Sequence, residues 1–371
     1  MKSLCKKLAV SVLLIPVIVL SNYGCSAKTI VMYEIVGTPE EIVTIGVAGS
    51  YYDKADYLCD GSNDAELIQA AIDHLPDSGG AIVVLPGRYY LNDTITVAPH
   101  KHRVSFQGSG FGTVFVNTFS SGNLFYIYGI NCTESDPEEI SIGNFSVEIT
   151  DAKGPMRVIN AEKRHRVLIE KVFVTVKGRW RNNVVGAYLD QCDNSIVSNS
   201  SFYRVNVGVY LRNSDDTKVI GCNMTESDSY GIVLSEFTYK CLVIGNTVEE
   251  SRVGGIHIRG RQNIVSANTF GENGIYGIHL DTSRCIDNVI TSNSCIDNGI
   301  RYPGYGIYAS VVTANNLIMG NTCGNFVSKS QHYGIFDISG RNSIAYNICR
   351  GNIENNLAVK DTDLVKDNIT K

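Results

Sequence analysis

One phrase recurs through the second half of this chain, and it restricts the fold more than any other feature. From about residue 140 onward two apolar residues, a small polar residue and an "Asn slot" are followed by a glycine with alternating apolar positions. The slot holds Ser200, Cys222, Asn246, Asn268, Asn293, Asn321 and Asn347, at steps of 22, 24, 22, 25, 28 and 26 residues. The glycines are Gly208, Gly231, Gly255, Gly277, Gly306 and Gly334, and Lys171 with Gly186 extends the series one coil earlier. Self-similarity at such a period implies a solenoid. Short period-two alternation, as in Gly255-Ile256-His257-Ile258, marks strands and not helices, so the class is all-β. An interior Asn at the same place in successive coils can hydrogen-bond its copies above and below. Two residues beyond the slot come Met224, Val248, Phe270, Cys295, Cys323 and Cys349, an inward column in which cysteine serves as a core hydrophobe.

The first part of the chain fits the same object. Asn63-Asp64-Ala65-Glu66 reads as a capping box, followed by Leu67, Ile68, Ala71, Ile72 and Leu75 on one helical face. A helix over the open end of the first coil would keep a solenoid soluble. The run from Asp60 to Asp73, then Gly79-Gly80-Ala81-Ile82-Val83-Val84-Leu85-Pro86-Gly87-Arg88-Tyr89-Tyr90-Leu91, resembles the N-terminal signature of the pectate-lyase-like superfamily. The later coils resemble its generic repeats, and together they cover roughly Asp60 to Asp361. The resemblance implies a right-handed parallel β-helix with an N-terminal capping α-helix. It leaves the chemistry open, because that superfamily includes lyases, hydrolases, epimerases, phage tailspikes and non-catalytic surface proteins. The paired-Asp and His-Gly motifs of polygalacturonase-like hydrolases are absent, as is the Tyr-Gly-x-Asp-Pro-His run of alginate epimerases.

The expected organisation is an export signal or anchor over 1–27, an N-terminal segment over 28–58 and the β-helix over 59–365, with the cap helix at about 63–75. Lys2, Lys6 and Lys7 precede the apolar run Leu8 to Leu20, and Ala27 ends a small-residue cleavage site. Cys25 offers lipidation as an alternative attachment, so the membrane enters only through an anchor or a lipid. The protein is therefore read as secreted or attached to the cell surface. A net charge of −5 with 19% charged residues gives no electrostatic case for nucleic acid. None of the eleven cysteines sits at metal or redox spacing.

A β-helix converts register into surface columns about 4.8 Å apart. Two residues after each glycine, Tyr188, Tyr210, Val233, His257, His279, Tyr308 and Phe336 point outward; two further on come Asp190, Arg212, Ser235, Arg259, Asp281 and Ser310. Aromatic faces stack on pyranose rings, while Arg and Asp bind hydroxyls and carboxylates, so a polysaccharide or cell-surface glycan is the expected partner. The bland alternative is that aromatics pair well across neighbouring strands. Four residues after the slot, Arg204 is followed by Glu226, Glu250, Glu272 and Asp297, a stack open to calcium or to a solvated acidic edge. Slot-to-glycine distances of 15, then 8, 9, 9 and 9, then 13 and 13, predict a saddle at one corner. Its walls carry Arg179-Trp180-Arg181 and Arg301-Tyr302-Pro303, and its floor adds Tyr230 and Tyr276.

Two function classes follow. As an enzyme, a lyase or epimerase on uronate polysaccharide would use Arg259 or Arg212 to neutralise the carboxylate, His257 or His279 as base and Asp281 to orient an imidazole. A stacked pair such as Glu250 and Glu272 would instead suit a hydrolase. As a non-catalytic envelope protein, or as a tailspike-like depolymerase, the chain would use the same groove for glycan.

Overall fold

A computed structural model describes residues 41–50, 54–130, 139–150, 152–178 and 183–370. The predicted export signal, Cys25 and Trp180 with its two arginines lie outside these residues. The chain is a right-handed parallel β-helix. Its strands form two parallel sheets, the smaller of which takes one strand from each of eleven coils. Each coil of the repeat is three-sided: in one, Lys218–Ile220 and Asn223–Thr225 lie in the larger sheet and Tyr230–Leu234 in the smaller.

The corners explain the repeat. Each corner carries one residue in the left-handed region, in columns such as Asn194, Asp216, Lys240, Gln262, Asp287 and Asn315. A second column runs through Asn199, Gly221, Gly245, Ala267, Ser292, Gly320 and Tyr346, and a third through Arg204, Glu226, Glu250, Glu272 and Asp297. The acidic column is thus a row of corner residues. Behind most corner residues a small polar side chain turns inward, with Val205, Cys222 and Cys241 as exceptions. In the slot ladder, Oδ1 of Asn268 accepts both the backbone N–H and the Nδ2–H of Asn246 at 2.9 Å, and its own amide donates to Asn293 at 2.9 Å. The ladder continues through Asn321, Asn347 and Asn368.

Two further ladders flank the slot, five residues to either side except at Gln331, which lies ten beyond Asn321. One passes Asn263, Asn288, Asn316 and Asn342, the other Asn273, Asn298 and Gln331. Buried amides at all three corners are therefore paired along the axis, which offsets the desolvation of polar groups in an apolar interior.

Between the corners the interior is packed with Val, Ile, Leu, Phe and cysteine. All eight described cysteines are free and buried, and Cys295, Cys323 and Cys349 are successive register partners. Burial raises the thiol pKa values of Cys59 and Cys241 to about 12.

The helix spans Asp64–His74 and buries Ala65, Ile68, Ala71 and Ile72 against the first strands. The predicted capping box forms differently from expectation. Asn63 makes no side-chain cap, and it is the buried Asp64 carboxylate that accepts the N–H groups of Gly61 and Tyr90 at 2.8 and 2.7 Å. That carboxylate ties the helix start to the strand Gly87–Leu91.

Candidate functional site

The outer face of the smaller sheet reproduces the register read from the repeat. Tyr188, Tyr210, Val233, His257, His279, Tyr308 and Phe336 are direct neighbours in consecutive strands. A second outward column, toward the strand starts, runs Tyr230, Gly254, Tyr276, Tyr305 and Tyr333. The two columns interleave into one continuous stack: Tyr230 on His257 (4.8 Å), His257 on His279 (4.6 Å, 7° between planes), His279 on Tyr276 (4.3 Å), Tyr276 on Tyr305 (5.6 Å) and Tyr305 on Tyr333 (5.3 Å). Tyr188 is likewise enclosed, with the Arg157 guanidinium over one ring at 3.6 Å and Tyr210 stacked at 5.2 Å.

This geometry changes what the aromatics offer. Rings in adjacent coils cover one another's faces, so the stack presents ring edges, hydroxyls and imidazole nitrogens to solvent. The expectation of ring faces laid open for sugars is not what His257, His279, Tyr276 and Tyr305 provide.

At the centre of the stack three donors converge. His257, His279 and Asp281 each bring one ligand atom within 4.8 Å of the others, the one such group of His, Cys, Asp or Glu among the described residues. His257 Nε2 lies 3.6 Å from Asp281 Oδ2, beyond hydrogen-bond range, and this buried nitrogen has no hydrogen-bond partner. His279 Nδ1 is 2.8 Å from the hydroxyl of Tyr230, two coils away. That reach depends on Gly254. A Cβ there would sit 2.7 Å from Tyr230 Cε1, so the missing side chain is where the tyrosine ring lies.

Burial pushes His257 down to about 4 and His279 to about 3, the second also through repulsion from the first. Both imidazoles are therefore neutral near pH 7 and keep a lone pair. Burial opposes ionisation of Asp281, but the Thr282 N–H at 2.8 Å and the two histidines hold its carboxyl below the ordinary value.

The other predicted residues are distributed around this centre. Arg259 is ion-paired with Glu236, and Arg212 with Asp190 at 3.5 Å while also donating to the Tyr188 hydroxyl at 3.3 Å. Both guanidinium charges that were expected to meet a substrate carboxylate already have anionic partners. Tyr308 stacks on Phe336 at 5.9 Å and meets His279 edge-on.

At the acidic corner Glu250 and Glu272 are exposed and Glu226 bonds the Tyr203 hydroxyl, but Asp297 is buried. Its oxygens accept the backbone N–H groups of Phe326, Val327 and Ser328, which leaves it folding a loop. A cavity of about 150 Å³ lies at this corner, lined by Glu226, Ser227, Glu250, Arg252, Ile300 and Arg301.

Sequence reasoning named His257, His279, Asp281 and Tyr230 but missed Gly254. The signal was the doubled glycine Gly254-Gly255, where other coils have a single one after a tyrosine or valine.

The fold and this face define a parallel β-helix protein with a histidine-carboxylate cluster on one sheet. Residues 114–302, half of the chain, match the family described as periplasmic copper-binding protein (NosD), and the chain belongs to that family. A periplasmic family agrees with the expectation of export. Solved structures share the fold at low identity. The A-module of the mannuronan C-5 epimerase AlgE6 of Azotobacter vinelandii has TM-score 0.58 and 16% identity, over 84% of this chain and 96% of that one. The Dettilon tailspike protein has TM-score 0.61 and 16% identity, over 83% of this chain and 62% of that one. The DFA-IIIase of Arthrobacter chlorophenolicus A6 has TM-score 0.59 and 12% identity, over 88% and 93%. No curated protein matches the sequence.

Proposed function

We propose that this protein is an exported β-helix that binds a transition-metal ion, copper being the one its family's description names, through His257, His279 and Asp281. The observation that carries this reading is the convergence of three donor atoms within 4.8 Å around a buried imidazole nitrogen that has no hydrogen-bond partner. A buried nitrogen whose polar neighbour is a carboxylate oxygen 3.6 Å away is poorly satisfied, and a bound cation shared by the two would offset that cost. The donor set fits the group: imidazole suits copper, and a carboxylate adds charge. When bound, such an ion supplies a Lewis-acidic centre with positions free for a further ligand. The chain's own part is to bring two stacked rings and one carboxylate to within 4.8 Å, from which a turn of the rings would close them on the ion.

Titration of the full chain with Cu(II), followed by calorimetry, tests the reading. One ion per chain is expected, with affinity falling at least about 100-fold in His257→Ala and in His279→Ala. Equal affinity in both variants would remove the site from consideration.

A second reading, action on a glycan, is supported by the names of the fold's neighbours, which include an epimerase of mannuronan and a tailspike. Its finer form is a lyase or epimerase on uronate polysaccharide. The neutral imidazoles are the bases it would use and the tyrosine hydroxyls the acids, with Tyr188, Tyr210, Tyr230, Tyr276 and Tyr308 meeting the sugar edge-on. Calcium at Glu226, Glu250 and Glu272 would be its charge-neutralising ion, because Arg212 and Arg259 are already paired. Incubation with uronate polymers, with and without chelator, should then give unsaturated or epimerised product. Absence of product in both arms sinks this reading and leaves the metal site untouched.

A further inference from the structure

We infer that the His257–His279–Asp281 site selects a divalent ion, Cu(II) over Cu(I), and that Tyr230 is the positioning residue that makes His279 a ligand; this rests on the metal-binding reading above. The donors carry the first half. Two imidazole nitrogens and one carboxylate oxygen are borderline and hard ligands, which favour Cu(II) and Zn(II), whereas Cu(I) takes thiolate and thioether sulfur. The sulfur of the described chain lies elsewhere. All eight cysteines are buried in the coil interior, Met156 and Met224 are buried, and Met319 sits on a strand of the other sheet. Among the described residues no sulfur reaches this face, and the Asp281 carboxylate adds a charge that stabilises a dication more than a monocation.

Tyr230 carries the second half. A metal-binding histidine donates its other ring N–H to a fixed acceptor, which sets the tautomer and the ring angle. The Tyr230 hydroxyl, 2.8 Å from His279 Nδ1, is placed for that role, and a proton held there would leave the Nε2 lone pair as the ligand. Tyr230 is only 8% exposed, its ring is stacked on His257, and the space it occupies over Gly254 is kept open by the lack of a Cβ. One side chain thus orients one imidazole by a hydrogen bond and the other by contact. Among the described residues no further His, Cys, Asp or Glu joins the cluster.

The test uses the full metal-free chain. Cu(II) is titrated with electron paramagnetic resonance as readout, Zn(II) by competition, and Cu(I) anaerobically against bicinchoninate. The expected result is one Cu(II) with hyperfine coupling to imidazole nitrogen, Zn(II) bound more weakly at the same place, and no Cu(I) retention that depends on His279. Tyr230→Phe should weaken Cu(II) binding about 10- to 100-fold and alter the spectrum, while its far-ultraviolet circular dichroism stays that of the wild type. His279→Gln, which keeps a polar side chain in the stack, should abolish the coupled signal. Cu(I) held more tightly than Cu(II) and lost in His279→Gln would overturn the selectivity while leaving the metal site standing. Wild-type affinity in Tyr230→Phe would overturn the positioning role. If neither ion binds the wild-type chain, the metal-binding reading fails with it.

Discussion

Truncating one rung of the slot ladder is the sharpest test of what holds this fold together. Asn268 takes part in several bonds at once: its Oδ1 accepts the backbone N–H and the side-chain amide of Asn246, and its Nδ2 donates to the Val243 carbonyl at 3.0 Å and to Asn293. Asn268→Ala leaves those groups facing an apolar interior. A net contribution of about 1 kcal/mol per hydrogen bond, with a further 1–3 kcal/mol for a buried donor left unpaired, gives a loss of roughly 3–5 kcal/mol. The end of the ladder differs. Asn368 is only half-buried, and solvent can replace it as the acceptor for Asn347, so Asn368→Ala should cost about 1 kcal/mol. Guanidinium unfolding gives the order of the two variants, and hydrogen exchange at the Asn246 amide gives the local opening free energy, which should drop most in Asn268→Ala. Equal cost at the two positions, or less than about 1 kcal/mol at Asn268, would refute the claim that axial amide pairing supports the coils.

Other outcomes can be checked with less effort. Gly254→Ala places a methyl 2.7 Å from Tyr230 Cε1 and 3.0 Å from the Tyr276 carbonyl; it should cost about 1–3 kcal/mol by overpacking and turn Tyr230 away from His279, visible in a crystal structure of the variant. The metal-free protein should lose stability on acidification. His257 and His279 titrate near 4 and 3 when folded but at 6.5 when unfolded, so protons favour the unfolded chain across that window and stability falls as pH drops below 6.5. The loss between pH 7 and 5 should be roughly 2–4 kcal/mol, and a His257→Gln/His279→Gln double variant should flatten that part of the profile. Once Cys5, Cys25 and Cys132 are replaced by serine, the native chain should show no rapidly reacting thiol and the denatured chain eight, by a colorimetric thiol assay.

The architecture was legible because a solenoid repeats its instructions. The slot column, its spacing and the outward order from Tyr188 to Phe336 followed from counting residues, since in-register parallel pairing puts equal positions side by side. The flanking ladders were written just as plainly, in Asn263, Asn268 and Asn273 or Asn342, Asn347 and Asn352, five residues apart. They went unread because a five-residue step belongs to no strand or helix period; it is a three-residue strand, one left-handed corner residue and the inward Asn itself. The acidic column was seen as a surface feature, yet Glu226, Glu250, Glu272 and Asp297 stand there at a positive φ, which register alone does not reveal. The site was legible in its members and not in its arrangement. Register places His257 beside His279, but the Tyr230 contact skips a coil, and ring orientation depends on packing that no column encodes.

The coil-on-coil construction bears, finally, on how such a chain can change by inheritance. A point substitution on a rung disturbs the coil above and the coil below, whereas gain or loss of a whole coil leaves each remaining rung with a like partner. Length can therefore vary in whole coils more readily than sequence can vary within one. The histidine pair illustrates the yield of that mode of change. Gly255-Ile256-His257-Ile258 and Gly277-Ile278-His279-Leu280 are near copies at the same register. Copying one coil with its single imidazole is enough to set two of them face to face.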